Sequence, residues 1–200
     1  MALFTDAQKA TIYATVKADP VANALVVAGD AQGNIEYLPI INWLQAPSTF
    51  KVWRTFTQAD EIQEAVNWAN FTPANPLGTS TVADTNWLLA CQGKQFSLQL
   101  ILAVTGSFGR GISTGKPNIR AGLQDCLSNV PSGPLGAGRT GGWPVVQLAI
   151  QRFATNIEKM FATGTGTQAS PATLVFEKTL YQQEALEIVD IFWGVGGVLL

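Results

Sequence analysis

Two hundred residues suit one domain of ordinary size, or one domain carrying a long arm, and 47% hydrophobic residues with six Trp and ten Phe supply ample core material. Charged residues make up only 13% and the net charge is −2, about half the usual charged share. With no run of Lys or Arg there is no basic patch to release counterions from phosphate, which argues against a general nucleic-acid role. So little charge leaves two readings of the surface: part-covered by neighbouring subunits, or neutral, rich in Ser, Thr and Gln, and without a partner.

Thr5-Asp6-Ala7-Gln8 reads as a capping box, and a helix is predicted from there to about Lys17, stopped by Asp19-Pro20. Short helices are predicted at Val21–Ala28 and Ile35–Leu44, separated by a turn from Gly29 to Gly33 and closed by Pro47 and Ser48. Phe50–Thr55 alternates briefly. Thr57 can cap a helix whose first turn holds Asp60 and Glu61 and whose apolar face is Ile62, Ala65, Val66 and Ala69. Pro73 and Pro76 end it. Val82–Cys91 and Phe96–Val104 read as two helices interrupted at Gly93, although the apolar run Leu98–Val104 reads equally well as a strand.

A glycine-rich loop from Gly106 to Gly115 precedes Ile119, Leu123, Cys126 and Leu127, which keep helical spacing. A second loop, Pro131–Gly142, leads to the clearest helical pattern of the chain, Pro144 to Phe161. Its inner face is Val146, Ala149, Ile150, Phe153, Ile157, Met160 and Phe161; Pro144 suits its first position and Gly164 its end. A Thr-Gly-Thr-Gly-Thr link leads to a strand expected at Ala172–Glu177, and Thr179–Gln182 forms a second capping box that opens a last helix to about Phe192. Past Trp193, three glycines (Gly194, Gly196, Gly197) favour an arm over a helix. The fold class is therefore mainly α: a helical bundle with long loops, at most a small β element near 172–177, and an extended arm. Residues 1–187 read as a single domain and 188–200 as the apolar C-terminal arm.

The chain has no histidine. That removes Ser-His-Asp and Cys-His catalysis, most zinc sites and the usual general base near neutral pH. Cys91 and Cys126 form no C-x-x-C pair and sit on apolar stretches, so buried free thiols are expected over a bridge. The carboxylates are scattered, and Asp60, Glu61 and Glu64 are explained by a helix start better than by a metal site. Two glycine loops imitate nucleotide sites. Gly106–Lys116 ends in Gly-Lys, but Arg110 stands where a phosphate loop needs Gly, and Pro117 where it needs Ser or Thr. Gly136-Ala137-Gly138-Arg139-Thr140-Gly141 matches G-x-G-x-x-G, yet the Pro- and Gly-broken stretch before it offers no strand. No catalytic, cofactor-binding or metal residue is expected, and no cofactor.

Met1–Lys17 lacks the basic start and apolar middle of a signal peptide, and Ile188–Leu200 is too short to span a bilayer. The expectation is a protein made and used in cytoplasm, or carried in a particle assembled there. Ile188–Leu200 has Asp190 as its only charge, and two readings stand. Either Ile191, Phe192, Trp193, Val195, Val198, Leu199 and Leu200 dock onto another subunit, or the segment folds back over its own core.

Four blocks then stand out: Phe4–Gln8; Phe50–Thr55 after Ala46-Pro47-Ser48; Lys116–Leu123; and Phe161–Thr167 with Ser170–Glu177. Together they resemble, in consistent order, a family of small structural proteins of tailed phages, encoded among head and tail genes. The sequence departs from that pattern at Lys178, in the loop Pro131–Gly142 and after Ile188. The resemblance implies a virion component with no catalytic residues to carry over, first of all a head–tail connector (adaptor) ring. It implies copies of itself as partners, with portal or tail subunits, and no membrane or specific nucleic acid. A tail or capsid-decorating protein, and a small cytoplasmic phage enzyme or regulator, are the other readings.

Overall fold

The structure, a computed structural model, describes residues 4–31, 38–68, 71, 82–106, 111–128, 142–175 and 182–193. These residues are mainly helical, with one two-stranded sheet. By its contacts the chain divides into two compact units, Met1–Val52 with Phe153–Leu200, and Trp53–Arg152.

The first unit holds α1 (Asp6–Ala18), α2 (Pro20–Ala31), α3 (Leu38–Gln45), α8 (Asn156–Phe161) and α9 (Gln182–Trp193). Thr5 opens α1 as its spacing predicts: its Oγ1 accepts the Gln8 N–H at 3.3 Å, and Gln8 Oε1 accepts the Thr5 N–H at 2.9 Å. Asp19 ends α1 and begins α2, its carboxylate accepting the N–H groups of Val21 and Ala22 at 2.9 and 3.0 Å, with Pro20 at the first helical position. The core is built from Phe4, Ile12, Val16, Leu44, Ile157 and Phe192, among others. α1 and α9 meet through rings: Tyr13 stacks on Phe192 at 5.8 Å, and Phe192 meets Trp193 edge-on at 5.9 Å. The Phe4 N–H donates to the Glu187 carboxylate at 3.0 Å, and Lys9 Nζ lies 3.8 Å from the same group.

The predicted helix Pro144–Phe161 is not one helix. It divides into α7 (Trp143–Ala149), the strand β2 (Gln151–Thr155) and α8. Thr155 is the reason: Thr155-Asn156-Ile157-Glu158 is itself a capping box, with Thr155 Oγ1 accepting the Glu158 N–H at 3.3 Å and the Glu158 carboxylate accepting the Thr155 N–H at 2.9 Å. An N-cap is extended, so the residues before it are free to pair with β1 (Pro47–Trp53). Phe153 consequently leaves the core. It is 49% exposed, with Lys51 Nζ 3.6 Å from its ring centroid.

Beside this sheet the chain returns at Ala172, which bridges Val52 in parallel, while Thr163 pairs antiparallel with Thr173. The expected strand at 172–177 is thus reduced to single bridges at Ala172 and Thr173, and Phe176 and Glu177 lie outside the described residues. Gly164 does not cap α8, which ends on an extended Ala162. Gly166 takes φ +66°, where a Cβ would stand 2.1 Å from the Phe50 ring, so only glycine fits.

The second unit contains α4 (Ala59–Ala65), α5 (Val82–Gly106), α6 (Pro117–Ser128) and α7, around Ile62, Leu98, Leu123, Leu127, Val146 and Ile150. α5 runs unbroken through Gly93, and Leu98–Val104 is helical within it. One mid-helix glycine costs about 1 kcal/mol relative to alanine, too little to break 25 residues anchored by Cys91, Leu98 and Leu102. Thr57 does not cap α4; the N-cap is Gln58, and Thr57 exchanges backbone hydrogen bonds with Ile112 at 3.0 and 2.7 Å.

Candidate interaction surfaces

Of the residues assigned to partner docking, Ile191, Phe192 and Trp193 are not on a free arm. All three are buried within the first unit, with Ile188 beside them, and the boundary expected between 187 and 188 falls inside α9. The apolar partner of this segment is α1 of the same chain, through Tyr13, which the sequence offered no means of pairing with it. Val195, Val198, Leu199 and Leu200 lie outside the described residues. Where α9 passes α1, a cleft of about 460 Å³ remains, lined by Lys9, Ala10, Tyr13, Asp190 and Ile191.

The blocks quoted for the phage resemblance act as joints within each unit. In the first, the Lys51 N–H donates to the Gly166 carbonyl at 2.7 Å, and Lys51 accepts from the Ala172 N–H at 2.9 Å. In the second, Arg120 Nη1 donates to the Thr114 and Gly115 carbonyls at 2.9 and 2.6 Å, and its guanidinium lies 4.6 Å from the Trp53 ring. Burial lowers the Arg120 pKa from its usual value. Thr114 Oγ1 donates to the Arg54 carbonyl at 2.8 Å and meets Thr57 Oγ1, also buried, at 2.8 Å. Arg54 in turn grips Glu61 with two hydrogen bonds, 2.5 and 3.2 Å. These hydrogen bonds end on groups of the chain itself and fix the residues that lead into α6.

Asp60 and Glu61 begin α4, as the sequence suggests, and Glu61 is engaged by Arg54. Among the described residues no group of three or more Cys, Asp or Glu is placed to hold a metal ion. Cys91 and Cys126 are both buried and not joined in a disulfide. Burial pushes the Cys126 thiol up, Asp125 adds to the rise, and Lys94 opposes it. The G-x-G-x-x-G loop at 136–141 lies outside the described residues.

What the described surface does offer is apolar area. Leu89, Phe96 and Leu100 of α5 are 60%, 66% and 51% exposed. Val145 and Leu148 of α7 are exposed in the same unit, and Val21, Val27 and Leu38 in the other. Sequence reasoning missed these because it assigned no inner or outer face to the helices that carry Val21, Leu38, Leu89 and Phe96. The signal was present in α5, where apolar residues occur on more than one face. No helix among the described residues is long and apolar enough to cross a membrane. Comparison with family models, curated proteins and solved structures finds no match to this chain.

Proposed function

We propose that this chain is a structural protein of a tailed-phage particle, made in the host cytoplasm and present in several copies that form a ring joining the head, at its portal, to the tail. The observation that carries the reading is the exposure of large apolar side chains on both units of a chain with only 13% charged residues. Monomers seldom leave such surface open to water; subunits of assemblies do. In a ring each copy meets two neighbours through two different surfaces, and the apolar side chains exposed on α2 and on α7, in different units, suit that need. The four blocks resembling tailed-phage proteins support the virion part of the proposal. Imaging the intact particle decides the position. Density for this chain as a ring at the head–tail junction is expected; density along the tail tube or on the capsid surface makes it a tail or decorating protein instead. Turnover of a substrate by a monomer missing from particles would replace both with an enzyme.

A further inference from the structure

We propose that α5 is a self-association surface, on which two copies of the chain pair their helices antiparallel about a two-fold axis at Phe96. The contact rests on the helix's own pattern and not on the virion reading. One face of α5 is fixed to its unit by Cys91, Leu98 and Leu102. On the other, Leu89, Gly93, Phe96, Leu100 and Ala103 are all exposed. Their spacing alternates four and three residues, the repeat that keeps an apolar seam facing another helix.

Three features select a second copy as the occupant. The first is charge. Between Leu89 and Ala103 the only charged residue is Lys94, whose ammonium group is held by the Asp125 carbonyl and lies 3.9 Å from its carboxylate. The seam and its flanks, Ala90, Gln92, Ser97 and Gln99, are neutral, so two copies bring no like charges together and a partner chosen by charge finds nothing to bind. The second is size. An antiparallel pair centred on Phe96 stacks the two Phe96 rings at the axis and sets Leu89 opposite Ala103 of the second copy and Gly93 opposite its Leu100, so large meets small on either side of the central pair. A parallel pair would set Gly93 against Gly93 and leave a void. The third is Gly93 itself. A Cβ there would meet nothing within 4 Å in its own chain. The glycine is therefore not required by the fold it weakens, and a recess for the second copy's Leu100 accounts for it.

The area sets the strength. At 1.5 Å per residue the seam is about 21 Å long and roughly 10 Å wide, a footprint of order 200 Å² against the ~800 Å² per partner of a lasting complex. The pair is thus weak in dilute solution and forms where copies are held at high local concentration.

The test is cysteine cross-linking of the full chain, with oxidised glutathione as oxidant and the wild type, whose thiols are buried, as blank. Phe96→Cys should form disulfide-linked dimers at a rate that rises with protein concentration and exceeds that of Gln99→Cys at least tenfold. Leu89→Cys mixed with Ala103→Cys should cross-link faster than Leu89→Cys alone. Adding Gly93→Leu to Phe96→Cys should abolish that advantage while the melting temperature stays within a few degrees. Equal rates for Phe96→Cys and Gln99→Cys overturn the pairing, as does Leu89→Cys linking to itself as fast as to Ala103→Cys. Phe96→Cys that links in particles only to a different protein also overturns it.

Discussion

Phe153 and Ile157 lie four residues apart, on what reads in sequence as one apolar helix face, and they end in opposite environments. Ile157 is fully buried in the first unit's core, whereas Phe153 is half exposed on β2. Replacing Ile157 with Ala should cost about 2–5 kcal/mol. Replacing Phe153 with Ala should cost only about 1–2 kcal/mol, from partial burial and the contact with Lys51. Urea denaturation of both variants checks the order, and a Phe153 variant as damaged as the Ile157 one would restore the unbroken helix. The thiols behave alike for a different reason. Cys91 and Cys126 are buried, and burial raises the Cys126 pKa. Both should react with an aromatic disulfide reagent only after unfolding. A thiol raised in the fold stabilises it fully below the unfolded thiol value, about 8.5, and that contribution is lost as pH rises beyond it. Stability should therefore fall more steeply above that pH in the wild type than in Cys126→Ala.

At the scale of elements, what was legible was what local chemistry decides. The capping box at Thr5, the Asp19-Pro20 junction and the spacing of Ile119, Leu123, Cys126 and Leu127 each specify a helix without help from the rest of the chain. The failures share one cause. Val146 through Phe161 is apolar enough to satisfy a helical period, but Thr155 caps a new helix and β1 supplies a strand partner, so long-range pairing overrode the period. Thr57 likewise has the chemistry of a cap, yet it spends its hydroxyl on Thr114 and its backbone on Ile112. The cap at Thr155 carries a definite expectation. Thr155→Ala should destabilise the chain by roughly 1 kcal/mol, within the 0.5–2 kcal/mol range of such losses, and Thr155→Asp should retain most of the stability. Equal stability of wild type and alanine variant, by thermal melting, would mean that strand pairing alone sets the break.

For the whole molecule, low charge and surplus apolar residues in the sequence support the proposed assembly role without pointing to a surface for it. It drew the eye to Ile191, Phe192 and Trp193, because nine large apolar residues crowd the segment from Ile188 to Leu200. Three-dimensional packing turned those side chains onto α1 and left Leu89, Phe96 and Leu100 facing water. Trp193→Ala should thus unfold or weaken the isolated chain by about 3–5 kcal/mol; a variant that melts as the wild type does but fails to assemble would return Trp193 to an interface. The claim beneath all of this is that the chain is a repeated part of a phage particle. Quantitative mass spectrometry of gradient-purified virions, scaled to the major capsid protein, tests it most directly. Several copies per particle are predicted, and absence of the chain from purified virions would contradict the account.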